Sequence, residues 1–164
     1  ADLRRGDFVR HLIDVIDDSP LGPQNITIEV TETMLLDASG HLNASLAMLD
    51  QCGFTICLDD FGTGFSSLTH LRAFPIHKVK IDRDFIAGIG EDHQSRLIIQ
   101  AIVQMGYSLG LRVVVEGVET EEQEIFLRAI GCRHVQGYRY GRPALLPDLK
   151  ARFAEGDVDT RRRA

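Results

Sequence analysis

An α/β barrel is the architecture this chain predicts. Two patterns carry the prediction: strand-like runs alternate with helix-like runs, and each strand closes on acidic or other polar side chains at its C-terminal end. A doubly wound open sheet would alternate in the same way. It gathers its site at one switch point, however, whereas here functional side chains come from five successive strand ends. With 164 residues, 44% of them hydrophobic, the chain can build one real core, and nothing suggests a second.

The elements follow in order. Phe8, Val9, Leu12, Ile13, Val15 and Ile16 recur at helical spacing, and Ser19-Pro20-Leu21-Gly22-Pro23 stops that helix. Residues 26–32 alternate and are rich in β-branched side chains, which predicts a strand with Glu29 and Glu32 near its far end. Residues 42–49 read as a helix closed by Gly53, and the apolar run 54–58 as a strand that ends on Asp59-Asp60. A short helix over 66–74, ended by Pro75, leads to a strand over 77–82 that finishes on Lys80 and Asp82.

Residues 93–109 form the longest helix, with Leu97, Ile98, Ala101, Ile102 and Met105 on one face and Ile99 and Val103 on another. Such a helix has no wet side, so the Ile99 and Val103 face is expected to turn away from the barrel into a second subunit, making a two-fold homodimer. Residues 111–119 are a buried strand ending in acids. Thr120 then caps a helix that begins Glu121-Glu122-Gln123 and is closed by Gly131. A last short strand over 133–136 gives way to the loop Gly137-Tyr138-Arg139-Tyr140-Gly141-Arg142-Pro143 and a helix over 147–153. The domain is expected to occupy residues 1–153. Residues 154–164 are a polar, frayed tail whose three arginines leave only a weak electrostatic footprint.

Composition removes several classes of function. A net charge of −6 argues against a nucleic-acid polymer as partner, although acids clustered around a metal give the same sum. No apolar run approaches the ~20 residues of a membrane span, and Ala1-Asp2-Leu3-Arg4-Arg5 lacks a signal-peptide core. Cys52, Cys57 and Cys132 have no metal-ligand spacing, and an odd count fits reduced thiols, small core residues and a cytoplasmic location. The six histidines are scattered without a paired spacing, which argues against a histidine zinc site.

The stretch Leu58-Asp59-Asp60-Phe61-Gly62-Thr63-Gly64-Phe65-Ser66-Ser67-Leu68 is the centre of the pattern. Neighbouring side chains on a strand point to opposite faces, so two adjacent acids share a target only where the backbone begins to turn. Three readings compete. The first is a capped strand-to-helix turn with solvated acids. A phosphate-cradling glycine loop fails because Ser67 stands at the third glycine. A kinase Asp-Phe-Gly triplet fails because no H-R-D loop or glycine-rich lid accompanies it. The rim taken together, Glu29, Asp59, Asp60, Lys80, Asp82, Glu116, Glu119 and Gln136, offers carboxylates and a lysine without cysteine or histidine. That set suits Mg²⁺ or Mn²⁺ rather than zinc. Two such ions about 3.5–4 Å apart activate water against a phosphodiester, which makes hydrolysis of that bond the expected chemistry.

In this order and spacing, Glu29-Val30-Thr31-Glu32, the 58–68 stretch, Lys80-Ile81-Asp82, Glu116-Gly117-Val118-Glu119-Thr120 and Gln136-Gly137-Tyr138 resemble the EAL domain of bacterial cyclic di-GMP phosphodiesterases. The resemblance implies a TIM-like (β/α)8 barrel that opens cyclic di-GMP to linear pGpG. It makes Glu29 and Asp59 ligands of a first metal, and Asp59, Asp60 and Glu116 ligands or water-holders of a second. Lys80, with Asp59 and Glu116, would act on the attacking water. Asp82, Glu119 and Gln136 would complete the substrate wall, and Glu32 would tie down the loop after Asp59. Phe65 stands where the family commonly has tyrosine. The Glu-Ala-Leu motif, its arginine and the following asparagine are absent, so the N-terminal strand or strands of a ~250-residue barrel are expected to be missing and the chain alone to be weak or inactive. A receptor or interaction module of the same fold that binds cyclic di-GMP without cleaving it is the alternative.

Overall fold

The computed structural model describes residues 3, 6–36, 40–62, 73–90 and 92–154. Helix α1 (Gly6–Asp17) and a 3₁₀ turn (Pro23–Asn25) precede strand β1 (Thr27–Thr31), followed by α2 (Glu32–Leu36), α3 (Gly40–Gln51) and β2 (Thr55–Phe61). Strand β3 (Lys78–Ile81), α4 (Asp84–Ala87), α5 (His93–Ser108), β4 (Arg112–Val115), α6 (Glu121–Ala129), β5 (His134–Val135) and α7 (Leu146–Ala154) complete the order. The predicted helix over 66–74 and the 155–164 tail fall largely or wholly outside the described residues, as do Phe65, Ser66 and Ser67.

Among the described residues, five parallel strands form one open sheet in the order β1-β2-β3-β4-β5. Every neighbour in the sheet is also the next strand in sequence, with no switch point among the described strands, which is the order of a barrel rather than of a doubly wound sheet. The two faces differ sharply. Val30, Ile56, Leu58, Val79, Ile81, Val113 and Val115 are buried together with Leu42, Leu46 and Leu49 of α3, Ile99 and Val103 of α5, and Leu127 of α6. Alternate positions carry Glu29, Cys57, Asp59, Lys78, Lys80, Arg112 and His134 to the other face. The core therefore lies between sheet and helices, and the polar face is the one a barrel would enclose.

A histidine fastens the lower end of the sheet. The Ile56 N–H donates to His77 Nδ1 at 3.1 Å, and His77 Nε2 lies 3.1 Å from Asp50 Oδ1, which joins α3, β2 and the start of β3. With Nδ1 accepting, the proton sits on Nε2 and points at the carboxylate.

Several expectations need correction. Glu32 does not end a strand: it opens α2 and is 3% exposed. The faces of α5 are reversed. Ile99, Val103 and Gly106 are buried in a 3.6-period stripe, while Leu97 and Ile98 are 53% and 49% exposed. A helix apolar nearly all round has no pattern that tells its inner stripe from its outer one, and the slimmer stripe took the close approach to the sheet. Of the three cysteines, Cys57 and Cys132 are buried, but Cys52 is exposed at the end of α3. Among the described residues no helix is long and apolar enough to cross a membrane.

Candidate functional site at the strand ends

A β-bulge builds the site. Leu58 pairs with Val79 and Phe61 with Ile81, so two residues of β2, Asp59 and Asp60, stand opposite a single residue of β3, Lys80. The extra residue is absorbed at Asp60, whose φ of 55° is left-handed. Asp and Asn tolerate that region better than other non-glycine residues. The alternation of a regular strand is broken at this point, and β2 runs on to Phe61 rather than stopping at the acids. Gly62 follows at φ 97°, with its backbone so close to the Phe85 ring of α4 that a Cβ would lie 2.8 Å from Cζ.

Carboxylates from three strands converge on Lys80. Its Nζ lies 2.6 Å from Glu116 Oε1, 3.1 Å and 3.2 Å from the two oxygens of Glu29, and 3.2 Å from Asp59 Oδ1. The lysine is 8% exposed. Burial by itself pulls its pKa down, but the hydrogen bonds to Glu116, Glu29 and Asp59 outweigh that and hold it above the ordinary lysine value. Asp60 moves the other way from most paired acids. Burial, then the charges of Asp59 and Asp82, raise its pKa above the usual carboxylate value, with Lys80 only partly offsetting them.

The remaining predicted residues divide. Asp82 lies near enough to Asp60 to disfavour its charge, and its own Oδ1 accepts the Asp84 N–H at 2.8 Å, which starts α4. Among the described residues the side chains of Glu119 and Gln136 do not join the cluster around Lys80. Their backbones hold the rim instead, Glu119 donating to Gln123 Oε1 and Gln136 to Val115 O. Both carboxylate oxygens of Glu32 are buried with no hydrogen-bond partner among the described residues.

Two rim loops are joined behind Glu116. Gly117 takes φ 73°, and a Cβ there would run into Arg83. Val118 donates to Gln136 O at 3.0 Å and accepts from the Arg139 N–H at 3.0 Å. Thr120 and Gln123 form the capping box of α6, as its sequence predicts. Arg139, missed in the sequence, places Nε 3.1 Å from Glu124 Oε2. Only the Glu124–Arg128 half of this ionic group has a readable i,i+4 spacing; nothing local marks the other half. A cleft of 460 Å³ between Glu124, Arg133 and Tyr140 shares no residue with the acid cluster.

The donors around Lys80 fit a hard divalent cation in kind, since all are carboxylate oxygens and one, Asp59 Oδ1, is buried without a well-aligned hydrogen bond. No three acid, histidine or cysteine side chains among the described residues already form a metal cage. The point on which Glu29, Asp59 and Glu116 converge is held by the ammonium of Lys80.

The chain is 42% identical over 137 residues to the signaling protein YkoW of Bacillus subtilis, covering 84% of this chain and 17% of that protein. It is 44% identical over 138 residues to the bifunctional diguanylate cyclase/cyclic di-GMP phosphodiesterase MucR of Pseudomonas aeruginosa, covering 82% and 20%. It thus spans about a fifth of the length of these relatives. Among solved structures, the PaMucR phosphodiesterase in complex with c-di-GMP matches at 37% identity with a TM-score of 0.83, over 90% of this chain and 60% of that one. Klebsiella pneumoniae BlrP1 in a manganese and cyclic di-GMP complex matches at 34% identity with a TM-score of 0.79, over 85% and 36%. The open sheet of five strands is accordingly part of a barrel-like α/β fold. The EAL domain model matches residues 1–143, and the chain belongs to the EAL domain family.

Proposed function

We propose that this chain is the greater part of a phosphodiesterase domain, residues 1–153 with a tail over 154–164, which hydrolyses cyclic di-GMP to linear pGpG with Mg²⁺ or Mn²⁺ in the bacterial cytoplasm. The observation that carries the reading is the convergence of Glu29, Asp59 and Glu116 on Lys80, beside a bulge that adds Asp60 to the same strand end. Glu29 and Asp59 would hold one ion, and Asp59, Asp60 and Glu116 a second. When bound, the ions supply an activated water and neutralise the phosphate oxygens. The chain's own residues do the rest. Lys80 and Glu116 orient the attacking water, whose oxygen bonds to phosphorus as the bond to the 3′ oxygen breaks, leaving the 5′ phosphate of pGpG. Asp82, Glu119 and Gln136 form the wall against the dinucleotide. Glu32, whose buried carboxylate has no partner among the described residues, would anchor the loop after Gly62.

A homodimer belongs to the same reading, now built on the exposed Leu97 and Ile98 face of α5; sedimentation as a monomer at tens of micromolar would remove it. The activity test compares residues 1–164 with the chain extended upstream by roughly 80 residues, the shortfall from a typical barrel. The extended protein should release pGpG with Mg²⁺ or Mn²⁺ and stop with EDTA, while the short one turns over weakly or not at all. Binding of cyclic di-GMP by the extended protein without any cleavage would replace the enzyme with a receptor.

A further inference from the structure

We infer that Arg139 is a positioning residue: through the buried carboxylate of Glu124 it clamps the loop after β5 onto α6, and through Val118 it fixes the segment that carries Glu116. The inference rests on the phosphodiesterase reading for its kinetic consequence, but its geometry stands apart from it.

The chain of contacts is continuous. Glu116 is held on β3 by its N–H to Ile81 O, and two residues on Val118 is fully buried and bonded on both sides to the 136–139 loop. Strand β5 has only two residues, so its ladder alone is a short anchor for that loop. The side chain of Arg139 supplies the missing anchor, with Nε 3.1 Å from Glu124 Oε2 and Nη2 3.9 Å from Glu121 Oε2. Glu124 is 8% exposed, and leaving a buried carboxylate without its partner is costly. Helix α6 is itself a fixed frame, because its first turn carries the capping box and Gln123 Nε2 donates to Ile86 O at 3.2 Å. A planar guanidinium with two donor edges suits a reach toward two acids on one helix in a way that a lysine does not.

The structure also contains the control. Arg128 binds the other oxygen of the same carboxylate at 2.9 Å, from one turn further along α6. Its partner lies in its own helix, one turn away, so this pair does not tie the loop to α6. If Glu124 merely needs counter-charge, losing either arginine should matter equally. A clamp on the rim makes only Arg139 matter to the chemistry.

The test uses the upstream-extended protein. Arg139→Ala should lower kcat about tenfold with KM within about twofold, as a displaced catalytic group does, and Arg128→Ala should leave both within about twofold. Arg139→Gln is the second variant should the alanine protein fail to fold. Hydrogen exchange on the same proteins should show the 116–118 and 137–140 amides opening at least about tenfold faster without Arg139 than without Arg128. In a protein that turns over, loss of either difference overturns the inference. A wild-type protein that does not turn over, with the exchange difference intact, removes the phosphodiesterase reading and leaves the clamp standing.

Discussion

Replacing Lys80 with methionine keeps the length and apolar stem of the side chain and removes one charge. Four oxygens of Glu29, Asp59 and Glu116 lie 2.6–3.2 Å from that charge. Each contact is worth several kcal/mol gross at an effective dielectric near 20. Most of it is returned in desolvating the lysine and in crowding the carboxylates. Breaking a fully buried pair costs about 3–5 kcal/mol. The acid side chains are 44%, 23% and 24% exposed, so water can take up part of their charge. We expect a net loss of about 2 kcal/mol, equivalent to a fall of roughly 4–8 °C in Tm for a chain of this size. The assay is thermal unfolding of the upstream-extended protein in EDTA at low salt, repeated with excess Mg²⁺. The ion should restore most of the loss, because it returns positive charge to the same oxygens. The pH dependence has a definite sign. The folded pKa of Lys80 is raised, so its contribution is complete below the ordinary lysine value near 10.4 and is lost only as pH rises through the folded value above that. Its part of the gap between the two proteins should therefore be flat between about pH 7 and 9. An unchanged Tm in EDTA would mean that the carboxylates do not depend on Lys80 for their place in the fold.

In the same protein, Lys80→Ala should lower kcat by about 10²-fold with little change in KM; a rise in KM with kcat intact would move Lys80 to substrate binding. Asp60→Asn should stabilise the metal-free fold at pH 7 and have no effect near pH 3, read from urea midpoints at each pH. The folded pKa of Asp60 is raised, so the stability it permits is complete below the unfolded value near 3.9 and falls as pH rises through the folded value. By titration calorimetry, Asp59→Asn should weaken Mg²⁺ binding more than Asp60→Asn, since Asp59 is assigned to both ions; equal losses count against bridging. Gly117→Ala forces a side chain into φ 73° and onto Arg83, and should cost at least about 1–2 kcal/mol in urea unfolding. Ile99→Ala should cost about 2–5 kcal/mol, and Leu97→Ala, measured on the dissociated subunit, within about 0.5 kcal/mol, if the faces of α5 are as described.

The order of strands and helices was legible because each element carries its own period, from the alternation over 26–32 to the Thr120-Glu121-Glu122-Gln123 cap. So was the placement of Glu29, Asp59, Lys80 and Glu116 at one end, since in a parallel sheet every strand's C-terminal end lies on the same edge. The device that makes Asp59 and Asp60 neighbours in space was not legible. A bulge is a property of pairing, visible only when Leu58 to Phe61 is laid against Val79 to Ile81. Glu32 was misplaced because an acid after a strand looks the same whether it is solvated or opens a buried helix. The inner face of α5 was misassigned because packing, not propensity, chose between two apolar stripes. Arg139 and Glu124 are fifteen residues apart and meet only in the fold.

The polar face of the sheet is electrically polarised along its strands. Lys78 and Arg112 stand side by side in register near the N-terminal ends, and His134 shares their neighbourhood: burial, then Arg112, Lys78 and Arg133, hold its imidazole below the ordinary value. At the other end Glu29, Asp59 and Glu116 face Lys80, with Asp60 and Asp82 close by. Such a gradient draws small cations toward the strand ends and holds anions off them. On the proposed reading, a doubly anionic cyclic dinucleotide reaching that rim without ions meets repulsion from every side but one. On that reading the cations would come first and the substrate second, and salt that screens the rim should weaken the first step more than the chemistry that follows.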